Sequence, residues 1–167
     1  MGFPNYFSTY KLSDGSLVNV NILDTAGQEK FKAVSESYYK KADCCLLVYD
    51  ISNRKSFDEC KNYYNTNIKE KCKKNIKVIL LGNKTDLEEK REIKSEEGAG
   101  FSLVNDYIFM ETSCLKNENV ASAFEALIEI TNIEAKKNQV NNDKNIGNIK
   151  LKSKKTIKKA CICPIFG

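Results

Sequence analysis

The chain has 167 residues, 41% of them apolar and 29% charged, which suits one soluble domain with a real hydrophobic core. It contains no histidine, so Ser-His-Asp chemistry, histidine acid–base catalysis and histidine-containing metal sites are excluded. The formal net charge of +5 is concentrated at one end: from Lys136 onward there are nine lysines and one acidic residue, Asp143. A basic tail on a near-neutral body points to an anionic partner, either membrane or nucleic acid, or to a merely solvated segment.

The seven cysteines form no C-x-x-C pair, and an odd number without a signal peptide fits reduced thiols better than a disulfide framework. No apolar run approaches the ~20 residues that a spanning helix requires.

In chain order, the first clear unit is a hairpin. Val18, Val20 and Ile22 alternate with Asn19 and Asn21, and Ser13-Asp14-Gly15-Ser16 supplies the preceding turn. A loop from Asp24 to Gln28 follows, then a polar helical stretch to about Lys41. Residues 44–49 are an unbroken apolar run, the signature of a strand covered on both faces. Residues 56–72 read as a helix with Phe57, Cys60, Tyr64 and Ile68 near one face, and residues 76–81 as a second buried strand. A helix over 95–104, with Glu96 and Glu97 in its first turn, leads to a strand at 107–110. Val120, Ala123, Phe124, Leu127, Ile128 and Thr131 mark a final amphipathic helix capped near Asn117. Apolar strands alternating with helices predict an α/β fold with a mostly parallel sheet. Beyond about Asn138 the pattern stops and disorder is expected, giving a domain at 1–137 and a basic tail at 138–167.

In such a sheet, ligands bind outside the carboxyl ends of the strands. Three polar motifs fall at predicted strand ends: Asp24-Thr25-Ala26-Gly27-Gln28-Glu29, Asn83-Lys84-Thr85-Asp86 and Glu111-Thr112-Ser113-Cys114. An aspartate at a strand end can hold magnesium. A glycine after it lets a backbone N–H approach a terminal phosphate, and a neighbouring glutamine can orient an attacking water. Asp86 can accept from the N1–H and amino group of guanine, a donor pair that adenine lacks. Asn83 can bind the purine edge, Lys84 can lie along the base plane, and backbone N–H groups near Ser113 and Cys114 can reach the guanine carbonyl. Taken singly, each motif also fits ordinary turn chemistry.

In this order and spacing, D-T-A-G-Q-E, N-K-x-D and E-T-S-x resemble the Ras-superfamily GTPases, over residues from about Gly2 to Ala135. Tyr38-Tyr39-Lys40-Lys41-Ala42 and Leu47-Val48-Tyr49-Asp50-Ile51 resemble the Rab branch. The resemblance implies a Ras-like, P-loop-NTPase-like fold, with GTP or GDP and Mg2+ as ligands. It assigns Asp24 to the magnesium site, Gly27 to the γ-phosphate and Gln28 to water positioning in GTP hydrolysis. Asn83, Lys84 and Asp86 would read guanine, with Ser113 and Cys114 behind the base, and the segment from Asp24 to about Lys41 would be the second nucleotide-sensitive switch. Implied partners are Rab effectors, exchange factors, GTPase-activating proteins and the escort or GDP-dissociation-inhibitor proteins. The implied location is cytoplasmic, peripheral on the cytosolic face of an endomembrane. Nucleic acid is not expected, because the lysine tail has no interleaved aromatics.

Two departures stand out. No pair of the eight glycines forms the phosphate loop G-x-x-x-x-G-K-[ST]. Aligned on the family, Met1-Gly2 falls within the first switch, so the first strand, the phosphate loop and the first helix would precede it. That strand is central in the family's sheet, between the strands equivalent to 17–23 and 44–49, and its loss is expected to leave those two either closing up or accepting a strand from a partner. Leu23 also stands where most Rabs carry tryptophan. A non-hydrolysing effector-binding module is therefore the alternative to a working switch. Finally, Cys161-Ile162-Cys163 after the lysines resembles the cysteine pairs that receive geranylgeranyl groups in Rabs; two lipids beside a polybasic stretch give peripheral anchoring. Position 164 is proline, so the strict C-a-a-X form is absent, and two exposed thiols are the plain alternative.

Overall fold

The computed structural model describes residues 5–24, 40–143 and 157–166. The hairpin is β1 (Asn5–Lys11) and β2 (Leu17–Asp24), antiparallel. Its turn closes through the Leu12 N–H to the Ser16 carbonyl at 2.8 Å, with Gly15 at φ +80°. Only glycine adopts that left-handed conformation at little cost.

Strand β3 (Cys44–Asp50) is buried at every residue, as its unbroken apolar run predicts. Alternate side chains enter two different cores. Cys44, Leu46 and Val48 join Val18, Val20, Ile79, Leu127 and Ile128 on one face. Cys45, Leu47 and Tyr49 join Phe57, Cys60, Ile68 and Leu80 on the other.

The helix expected over 56–72 starts two residues earlier and changes character. Helix α1 (Arg54–Tyr63) begins where the Asn53 side chain accepts from the Ser56 N–H. It passes into a π segment, Tyr64–Ile68, and a last α turn, Lys69–Lys71. The wider π turn lets Tyr64 and Ile68 both reach the core Phe57 and Cys60 occupy. Strand β4 (Lys77–Asn83) runs two residues past the expected end, then a 3₁₀ stretch (Thr85–Lys90) leads to α2 (Ser95–Val104), which has the predicted bounds. Gly98 is the contact residue of α2: a Cβ there would lie 2.5 Å from a ring carbon of Phe109 and 2.6 Å from the Tyr49 hydroxyl. Strand β5 (Ile108–Thr112) precedes α3 (Val120–Asp143). Asn117 does not cap α3; it sits three residues upstream at φ +55°, and the Asn119 side chain donates instead to the Glu111 carbonyl at 2.9 Å.

Two regular elements lie in the C-terminal part. Helix α3 continues past residue 137, and residues 157–166 form a strand, β6 (Ile157–Phe166). The sheet order is β1-β2-β6-β3-β4-β5. All pairings after the first hairpin are parallel. The strands flanking the slot therefore neither close up nor take a strand from a partner: the chain's own C-terminal segment lies between them. The physical reason is composition. Ala160-Cys161-Ile162-Cys163 and Ile165-Phe166 form an apolar stretch after the lysines, and a slot between β2 and β3 offers two rows of backbone partners. Thr25 to Tyr39, including Gly27, Gln28 and the polar helical stretch, lies outside the described residues.

Candidate functional site: a base-recognition edge

Because β2, β6, β3, β4 and β5 run parallel, their carboxyl ends share one edge of the sheet. Asp24 ends β2, Asp50 ends β3, Asn83 ends β4 and Thr112 ends β5. Asp50 lies opposite Asn83, and Asn83 opposite Thr112. The sequence-predicted residues Asn83, Lys84, Asp86, Ser113 and Cys114 thus come together on the β4–β5 side, while Asp24 lies at the same edge beyond β6.

The β4–β5 side is tied by side chains. Asn83 is 3% exposed, and its Oδ1 accepts from the Thr112 hydroxyl at 3.1 Å and from the Cys114 N–H at 3.3 Å. The loop after β5 is thereby fastened to the end of β4. The Ser113 hydroxyl donates to Asp86 Oδ1 at 2.5 Å and accepts from the Lys116 N–H at 3.1 Å. Ser113 and Glu118 exchange both backbone hydrogen bonds, at 3.1 and 2.9 Å. A carboxylate has about four acceptor sites, so Asp86 can hold Ser113 and still accept from a ligand.

Lys84 is turned by its backbone. It sits at φ +69°, a left-handed conformation that costs a residue with a Cβ about 1–2 kcal/mol. Its ammonium lies 2.6 Å from Asp50 Oδ2. Asp50 is the residue that sequence reasoning missed as part of the site. It is 4% exposed, and its Oδ1 also accepts from the Ser52 N–H and hydroxyl at 2.9 and 2.7 Å. Burial pushes the Asp50 carboxyl up, but the Lys84 and Ser52 hydrogen bonds outweigh it and hold it below the usual carboxylate range. The available signal was its position: an acidic residue closing a fully apolar strand must find a partner. Behind this layer, Arg91 bridges Glu111 at 2.7 Å and Glu88 at 2.7 Å, and these two partners raise its pKa further.

The arrangement offers an acceptor (Asp86), backbone donors near Ser113 and Cys114, and an aliphatic stem ending in an ammonium (Lys84). Those chemistries match a guanine base. Among the described residues no group of three or more potential ligands gathers, and Asp24 alone of the implied metal site is described. A cavity of about 580 Å3 lies elsewhere, toward the amino ends of β4 and β5, between Tyr64, Tyr107, Ile130 and several lysines; it touches none of these motifs. No helix among the described residues is long and apolar enough to cross a membrane.

The comparisons with known proteins point the same way as the edge. A model of the Ras family matches residues 1–133. The chain is 42% identical over 133 residues to Ras-related protein RABA5a of Arabidopsis thaliana, covering 78% of this chain and 60% of that protein. It is 38% identical over 148 residues to Ras-related protein Rab-8B of Homo sapiens, covering 86% of this chain and 71% of that protein. Against Ras-related protein Rab-8A of Bos taurus the identity is 42% over 114 residues, 68% of this chain and 55% of that protein. The chain thus spans a little over half to about 70% of the length of these relatives. It belongs to the Ras family, as a Rab-type small GTPase.

Proposed function

We propose that the chain is a guanine-nucleotide-binding switch of intracellular vesicle traffic, acting on the cytosolic face of an endomembrane. The observation that supports it most directly is the hydrogen-bonded assembly of Asn83, Thr112 and Cys114 beside Asp86 and Ser113 at one strand edge. In this reading Asp86 takes the guanine N1–H and amino donors, Asn83 and Lys84 hold the ring, and Ser113 and Cys114 present N–H groups to its carbonyl. Asp24 would hold Mg2+, Gly27 would meet the γ-phosphate and Gln28 would orient water. Effectors, an exchange factor, a GTPase-activating protein and escort or dissociation-inhibitor proteins would be its partners. Cys161 and Cys163 would carry prenyl groups that anchor it.

A second reading, a binding module that engages effectors without turnover, is favoured by one observation. Strand β6 occupies the place between β2 and β3 where the family's sheet carries the strand leading into the phosphate loop. Phosphate and metal contacts supply most of the transition-state stabilisation in this reaction class. The 167-residue chain is therefore predicted to hydrolyse GTP feebly or not at all. Single-turnover hydrolysis with nucleotide titration tests this; family-like affinity and turnover would contradict it. Mass spectrometry of the protein from its native cell tests the lipids, and two unmodified thiols would rule them out.

A further inference from the structure

Strand β6 is held from both sides. Asn19 to Asp24 of β2 face Ile157 to Ile162, and Cys44 to Leu47 of β3 face Ala160 to Cys163. Cys161 is thus paired opposite Leu23 on one side and Cys45 on the other, and Cys163 opposite Leu47. The last described pair with β2 is Asp24–Ile162. Against β3 the register slips between Leu47–Cys163 and Tyr49–Phe166, so that β6 uses one residue more than β3. A bulge at that point is what proline, with no N–H to give, imposes on a ladder. The regular part of β6 and the two cysteines therefore coincide.

We propose that residues 157–166 are a self-supplied central strand, and that the tail is either in the sheet or available for covalent modification, never both. This rests on the lipidation reading above. In that reaction a cysteine thiolate displaces diphosphate from a prenyl diphosphate; a C–S bond forms, a C–O bond breaks, and the thiol proton goes to solvent. A transferase must take the segment around the thiol as a free extended peptide. A strand with neighbours on both sides has no free backbone edge to offer it. Insertion withdraws the cysteines, and release leaves β2 and β3 facing an open slot that another strand can fill.

Hydrogen exchange of the full, unmodified 167-residue chain tests the proposal. The amides of residues 158–163 are expected to exchange at least about 100-fold more slowly than in a free peptide of residues 156–167. Ala160→Pro, which removes a ladder donor upstream of both cysteines, is expected to return them to the peptide's rate. Peptide-like exchange in the wild-type chain would overturn the proposal, and needs no variant to fold. Protection that appears only in a dimer, by sedimentation, would overturn the intramolecular assignment. Prenyl groups on both cysteines of a chain whose amides stay protected would overturn the exclusivity. Unmodified thiols in the native protein would defeat the lipidation reading alone and leave the strand where it is.

Discussion

The two halves of the strand edge are built differently. On the β4–β5 side, Asn83, Asp86, Thr112 and Ser113 are fastened by side-chain hydrogen bonds between two loops that follow neighbouring strands. On the β2–β3 side, the edge depends on β6, recruited from the far end of the chain. The first half is held by side-chain hydrogen bonds between the ends of two adjacent strands. The second pairs segments from opposite ends of the chain, with the closure entropy that such a separation costs. The proposed base-recognition residues thus sit on a side-chain-anchored edge, whereas the sheet beside Asp24 rests on the C-terminal segment.

Substitutions can separate the two halves. Asn83→Ala is expected to have the largest effect. It strands the Thr112 hydroxyl and the Cys114 N–H, each costing about 1–3 kcal/mol where it stays dry. Urea unfolding measures the loss, and exchange at β6 should be less affected than at the loop after β5. Gly98→Ala forces a Cβ against Phe109 and Tyr49, an overpacking cost of about 1–3 kcal/mol that should act through β5 and β3. An unchanged midpoint would show that α2 moves away freely.

Acid acts on the ion pair at the end of β3. The Asp50 carboxyl is held below its usual range, so the folded chain favours its charged form. The stability this adds is present above the unfolded value of about 4 and is lost as pH falls through the folded value. Asp50→Asn should therefore flatten the pH dependence of unfolding below pH ~4, and an unaltered curve would remove Asp50 from the account. Arg54→Ala is expected to have the smallest effect. Its pair with Glu97 is 2.6 Å long but about 40% exposed on both sides, so solvent screening should leave the urea midpoint nearly unchanged. A larger shift in the urea midpoint would mean that the Arg54 bond to the Glu92 carbonyl carries the α1–α2 contact.

Much of this was legible from residue order. Residues 44–49 and 76–81 read as strands buried on both faces because apolar side chains at every position leave neither face for water. The motif loops read as strand-end loops for the complementary reason, that polar runs cannot continue a buried strand. Two features were not legible. The π segment at Tyr64–Ile68 changes the helical period without a sequence mark, and Phe57, Cys60, Tyr64 and Ile68 suit an ordinary helix nearly as well. Strand β6 was hidden by its lysine-rich approach and by Pro164, which argues against an interior strand until a bulge absorbs it. Its partners lie far away in sequence, and no local pattern encodes such a pairing. Asp50 does carry a sequence mark, a charge closing an apolar run.

The central claim is that the β4–β5 edge recognises guanine by its own residues. Titrating the 167-residue chain with GDP and with ADP, on wild type and on Asp86→Ala, tests it most directly. The expected result is weak binding of GDP over ADP that Asp86→Ala abolishes. Equal affinity for the two nucleotides, or a guanine preference that survives the loss of Asp86, would contradict it.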